Sequence, residues 1–112
     1  MAGLAGEQCA ALSSDSTSAS PTEVVDLKTQ VPEWTVINDG MDKLERSYTF
    51  GSFADAMTFT NKVGAIAEEQ AHHPQLTTEW GRTTVRWWTH VVGGLHRNDF
   101  IMAGKTDALY EA

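Results

Sequence analysis

The stretch from Phe53 to Ala67 constrains this chain most. Phe53, Ala56, Met57, Val63, Gly64 and Ala67 recur at three- and four-residue spacing, Thr60 keeps the same register, and Phe59 and Ile66 widen the stripe. That period belongs to an amphipathic helix that must lay one face on a core. Ser52, with Asp55 three residues on, supplies a capping-box-like start. The pattern stops at His72-His73-Pro74, because proline drives the preceding residue out of the α region and has no N–H to give. The helix is therefore expected to end at a pair of histidines.

Period-two patterns flank this helix on both sides. Trp34-Thr35-Val36-Ile37 is β-rich and Asn38-Asp39-Gly40 is a turn signal. Met41 to Phe50 then alternates, with Leu44, Tyr48 and Phe50 on one side and Lys43, Glu45, Ser47 and Thr49 on the other. Arg46 interrupts the apolar side, which places its position near an edge or an interface. After Leu76 to Trp80, Gly81-Arg82 turns the chain into a strand from Thr83 to His90. Thr83, Val85 and Trp87 share one face there, and Thr84, Arg86, Trp88 and His90 the other. Gly93-Gly94 breaks that strand, and Phe100, Ile101, Ala103, Gly104, Ala108 and Leu109 form a last helix. A short helix capped by Thr22 and stopped by Pro32 precedes the first hairpin. The order helix, two strands, helix, two strands, helix defines an α+β fold with an antiparallel sheet.

Residues 1–20 are mostly Ala, Gly, Ser and Thr, a composition with little to bury, and read as a disordered tail before a single domain over 21–112. A net charge of −7 gives phosphate backbones and anionic lipids little to attract, so neither nucleic acid nor membrane is expected as a direct partner. The single cysteine, Cys9, supports neither an internal disulfide nor a Cys-rich zinc site. No segment reads as a secretory leader or a membrane span, and a cytoplasmic location is expected.

The chemistry available lies in the histidines. His72 and His73 fall where a helix meets a proline, and His90 where a strand ends, positions that gather side chains at one rim of a sheet. Glu68, four residues before His72, shares its helical face and would orient its ring; Asp99 could do the same across a cleft. Imidazoles are the side chains best suited to moving protons near neutral pH, so this set offers acid and base without an evident nucleophile. Blander readings stand beside it. His72-His73-Pro74 also serves as a polar helix stop, Glu68 as a solvated charge, and Asp99 as a first-turn carboxylate of a helix capped at His96. Trp87 reads as core, and Trp88 as pocket lining or a subunit contact. Ser52 is a cap, since no Gly-x-Ser-x-Gly elbow surrounds it. Metal binding fits poorly, because adjacent histidines at a helix end diverge and no His-x-x-x-His, His-x-His or Cys-x-x-Cys spacing occurs.

The run Glu68-x-x-x-His72-His73-Pro74, then Trp88-Thr89-His90, then Gly94-Leu95-x-x-Asn98-Asp99 resembles the signature of the pterin-4a-carbinolamine dehydratases. The likeness extends from Trp34 to Asp107 and includes the intervals of 18 residues from His72 to His90 and nine from His90 to Asp99. Trp80-Gly81, Trp87-Trp88-Thr89-His90 and His96 to Ala103 are most similar to the bacterial members that accompany phenylalanine hydroxylase.

This resemblance implies a four-stranded antiparallel sheet with helices on one face and a homodimer or homotetramer. It implies dehydration of a 4a-hydroxytetrahydropterin to the quinonoid dihydropterin, which a dihydropteridine reductase returns to phenylalanine hydroxylase, with no metal or organic cofactor. By position it makes His72 and His90 the acid/base pair, His73 a binding and proton-transfer residue, and Glu68 and Asp99 supporting carboxylates. Ala71, His72, His73, Pro74, Trp88, Thr89 and His90 would hold the pterin. The chain departs from the mammalian-type members at Gln75-Leu76-Thr77-Thr78, where they carry aromatics, and at Trp88, where they carry a small residue. His96 occupies a position often filled by Ser or Thr and is read as peripheral. Two other classes stay open: a protein-binding module, as some relatives are dimerisation partners, and a metal-dependent hydrolase using the same histidines.

Overall fold

A computed structural model describes residues 3–111. Its elements are α1 (Pro21–Lys28), β1 (Thr35–Asn38), β2 (Asp42–Thr49), α2 (Phe53–Gln70), β3 (Gln75–Glu79), β4 (Arg82–Trp87) and α3 (Arg97–Glu111), with short 3-10 turns at Gly3–Gly6 and His90–Val92. The four strands form one antiparallel sheet in the order β1-β2-β4-β3, so the two hairpins join through their second strands. The register pairs Leu44 with Trp87 and Arg46 with Val85. Alternation therefore puts Leu44, Tyr48, Val85 and Trp87 on the covered face, where all four are buried. Phe59, Val63 and Ala67 of α2 and Phe100, Ile101, Met102 and Ala103 of α3 pack onto them, with Leu27, Val31 and Trp34 closing the end of the core. This is the α+β architecture expected from the sequence.

Several local expectations are corrected. The cap of α1 is Ser20, not Thr22: Ser20 Oγ accepts from Glu23 N and Glu23 returns a bond to Ser20 N, a full capping box. The second hairpin's second strand, β4, ends at Trp87, so His90 lies in a 3-10 turn and not on a strand. Arg46 belongs to an inner strand, not an edge, and its charge faces α3. It reaches Asp107 Oδ1 at 2.6 Å and lies over the Tyr48 ring. Asp107 Oδ1 also accepts from Trp34 Nε1 and Tyr48 Oη, so one carboxylate pins β2 and the chain before β1 to the last helix. Gly81, at φ 72° in the turn between β3 and β4, takes the left-handed conformation that glycine tolerates best, and a Cβ there would sit 3.1 Å from Phe50 O.

The larger correction concerns the segment expected to be disordered. Over residues 3–20 the chain packs on the domain; Met1, Ala2 and Ala112 lie outside the described residues. Leu4 is buried against α3 beside Gly104, and Lys105 Nζ donates to Ala5 O. Glu7 forms a two-pronged ion pair with Arg97, at 2.9 and 2.6 Å. Cys9 N donates to Gln70 Oε1, Asn98 bonds both backbone groups of Ala10, and Ala19 N donates to Leu95 O. Small residues suit this strap because it is held through its backbone.

Candidate active site

The site forms where α2 ends, β4 ends and α3 begins. Helix α2 stops at Gln70, and Ala71 takes the left-handed conformation at φ 51°, ψ 41°. Ala71 N then bonds Glu68 O, and His72 N bonds Ala67 O, a Schellman closure that turns His72 back across the core. There it is buried, its ring nearly parallel to that of Trp87 at 17°. His72 Nε2 lies 2.7 Å from Asp99 Oδ1.

Asp99 is fully buried and its other oxygen is equally engaged. Oδ2 accepts from Thr89 Oγ1 at 2.8 Å and from His96 N at 2.9 Å. It is the third residue of α3, and His96 is the cap: its Nδ1 accepts from Asn98 N. One carboxylate therefore ties together the start of α3, the end of β4 and the catalytic candidate His72. Asp99 thus meets a histidine from behind the cleft rather than across it; the expected pairing of Glu68 with His72 is corrected. Glu68 bonds His73 Nε2 in an exposed pair, because the helix ends before His72 and the i,i+4 geometry never forms.

His90 is exposed on a tight loop. Thr89 and Gly94 bond each other's backbones, and Gly93 closes the turn between them at φ 70°, donating its N–H to His90 O. Trp88 sits beside it, with Lys43 Nζ 4.0 Å from its ring centroid, a cation–π contact that steadies the indole.

A cleft of about 360 Å³ opens among these side chains, lined by Ala71, His72, His73, Trp88, Thr89 and His90, with Leu12 and Val91. The structure thus brings all three predicted imidazoles to one cavity of a size that suits a small heterocycle. Pro74, Glu68 and Asp99 do not line it; Asp99 acts from behind His72. Leu12 and Val91 were missed: Leu12 lay in the presumed tail, and Val91 carried no signal beyond its nearness to His90. Among the described residues no fully buried side-chain nitrogen or oxygen lacks a partner, so Nδ1 of His72, for which no protein partner is found, keeps some solvent exposure. No group of three or more His, Cys, Asp or Glu side chains among the described residues is arranged to hold a metal ion. No helix among them is long and apolar enough to cross a membrane.

A cleft with three imidazoles, one backed by a buried carboxylate, on a four-stranded α+β sandwich defines a candidate acid/base domain. The family model described as pterin 4 alpha carbinolamine dehydratase matches residues 17–109, and the chain belongs to that family. A protein of Marinobacter nauticus named "Putative pterin-4-alpha-carbinolamine dehydratase" is 50% identical over 111 residues, 98% of this chain and 100% of its own length. A relative of the same name from Chlorobium limicola is 54% identical over 90 residues, 80% of each chain. A crystal structure from Brucella melitensis, described as a transcriptional coactivator/pterin dehydratase, is 26% identical, with TM-score 0.77 over 84% of this chain and 99% of that one. A pterin dehydratase-like RuBisCO assembly factor of the alpha-carboxysome shares the fold at 21% identity and TM-score 0.60, over 71% of this chain and 92% of its own.

Proposed function

We propose that this protein dehydrates a 4a-hydroxytetrahydropterin to the quinonoid dihydropterin by histidine acid/base catalysis. The observation that carries the reading is the convergence of His72, His73 and His90 on one cleft, with Nε2 of His72 held by Asp99. In the reaction the C4a–O bond breaks and the N5–H proton leaves. The electrons of the N5–H bond stay on nitrogen and form the N5=C4a double bond, so the products are water and the quinonoid ring. Two proton transfers are required: one to the departing hydroxyl, so that water rather than hydroxide leaves, and one from N5. His72 and His90 supply them from separate elements, while His73 binds the ring. Asp99 fixes the tautomer of His72 by accepting at Nε2, which assigns Nδ1 to the substrate. Trp88 and Thr89 complete the walls.

In this reading an aromatic amino acid hydroxylase, in bacteria a phenylalanine hydroxylase, supplies the substrate, and a dihydropteridine reductase consumes the product. The test is the ultraviolet absorbance change as freshly generated 4a-hydroxytetrahydropterin dehydrates. Acceleration by the wild type, retained after EDTA and lost in His72→Ala/His90→Ala, supports the proposal; a folded wild type that leaves the spontaneous rate unchanged rejects it.

A further inference from the structure

We infer that Leu12 is a substrate-contacting residue: the strap over residues 7–19 places this one side chain in the wall of the cleft, where it packs on the face of the bound pterin. This rests on the functional reading above and adds a residue outside its histidine set. Leu12 lines the cleft together with His72, His73 and His90. It also lines a second cavity of about 370 Å³, which it shares with Cys9, Gln70 and Asn98. Leu12, Ala71 and His72 border both cavities and so form the partition between them.

The strap's anchoring shows why Leu12 stands there. Asn98, buried at the start of α3, donates Nδ2 to Ala10 O and accepts from Ala10 N, which fixes the chain two residues before Leu12. Ala19 N on Leu95 O fixes the far end. Between these anchors the strap bonds to itself: Ser13 N to Ser16 Oγ, Asp15 N to Ser13 Oγ and Ser16 N to Ser13 O. Leu12 thus follows directly from an anchor on α3, one residue from Asp99.

Chemistry decides which part of the ligand it meets. A pterin has a hydrogen-bonding pyrimidine edge and two π faces. An aliphatic side chain on that edge would leave donors and acceptors unmet, whereas on a face it removes apolar surface from water. Leu12 therefore packs on the ring and not on its edge.

The probe is 7,8-dihydropterin, which has no C6 side chain, titrated by quenching of tryptophan fluorescence alongside steady-state dehydration. Leu12→Ala should raise both Kd for the probe and KM for the substrate by roughly five- to thirtyfold, with kcat held within about threefold, as expected for loss of uniform apolar contact. Leu12→Met should return Kd to within about threefold of wild type, since volume-conserving apolar swaps cost little. Near-ultraviolet circular dichroism checks that the variants keep their packing. Probe affinity for Leu12→Ala within twofold of wild type, or a fall in kcat at constant KM, overturns this assignment while leaving the dehydratase reading intact. A wild type that neither binds the probe nor accelerates dehydration overturns both.

Discussion

His72 Nε2 lies 2.7 Å from Asp99 Oδ1, although the two residues are 27 positions apart, one just past the end of α2 and the other in the first turn of α3. The carboxylate is buried and accepts from Thr89 and His96 as well, so it stays at the centre of three elements. Asp99→Asn would turn an amide N–H toward at least one of these donors. We expect a loss of about 2–3 kcal/mol in stability, the usual cost of a buried hydrogen bond to a charged group. Turnover should fall at the same time, because the tautomer of His72 is no longer set. Urea unfolding followed by kcat on the folded fraction separates the two effects; an unchanged kcat would show that His72 does not need this partner.

The histidines should not be equivalent. His72→Ala and His90→Ala are each expected to lower kcat by roughly 10²- to 10⁴-fold, the contribution of one acid or base. His96→Ala removes a helix cap and should cost about 1 kcal/mol of stability with little change in kcat. Glu68→Gln loosens only an exposed bond to His73, so its effect should stay below about tenfold. Equal losses at His72, His73, His90 and His96 would contradict the assignment.

Ala71 is the one described non-glycine residue at positive φ, and it delivers His72 to the cleft. A left-handed alanine costs about 1–2 kcal/mol, and glycine would relieve this while adding about 0.4–1 kcal/mol of unfolded-state entropy. Ala71→Gly is therefore expected to stabilise the fold by about 0.5–1 kcal/mol with the His72–Asp99 bond retained. A lower urea midpoint would mean that the backbone here is not strained.

The elements were legible where side-chain periodicity carries them. The α2 stripe and both hairpins follow from residues that alternate or recur, and the core at Leu44, Tyr48, Val85 and Trp87 follows from the same alternation. What the sequence concealed depends on backbone. Glu68 looked like the partner of His72 because i,i+4 spacing assumes a continuing helix, and the left-handed Ala71 ends it first. Residues 3–20 looked disordered because Ala10 and Ala19 dock through N–H and C=O groups that composition does not reveal. The Asp107 contacts joined residues as many as 73 positions apart, beyond the reach of any local pattern.

Those Asp107 contacts set a limit on alkaline stability. Burial, and then the hydrogen bond to Asp107, push the Tyr48 phenol well above its ordinary range, and burial pushes the Cys9 thiol up to about 11. Both groups ionise more easily in the unfolded chain, which therefore holds fewer protons than the fold once pH passes the unfolded values near 9 and 10. Stability should consequently fall as pH rises through that range, with Tyr48 adding a slope of about 1.4 kcal/mol per pH unit above about pH 10. Tyr48→Phe should flatten this limb while costing about 1 kcal/mol at neutral pH through the lost hydrogen bond. Urea midpoints between pH 7 and 11 check it; an alkaline slope unchanged in Tyr48→Phe would assign the titration elsewhere.

Leu4 tests whether the amino-terminal segment belongs to the folded unit. Its side chain is buried beside Gly104, where a Cβ would stand 3.2 Å from Leu4 Cβ and 3.1 Å from Ala5 N, so glycine lets the 3-10 turn approach α3. Were residues 3–20 a loose tail, Leu4→Ala would change nothing measurable. If the strap is an integral layer, the variant should lose about 2–3 kcal/mol, the cost of truncating a buried leucine. A weakly docked strap would instead detach on its own, leaving the global midpoint in place while exposing Cys9. Alkylation distinguishes these cases: in the intact fold the raised thiol pKa and partial burial should make Cys9 react with iodoacetamide at pH 8 at least about tenfold more slowly than in urea. A shifted midpoint with protection retained means one cooperative unit. An unshifted midpoint with fast alkylation means a separately opening strap, and Leu12 would then leave the cleft with it.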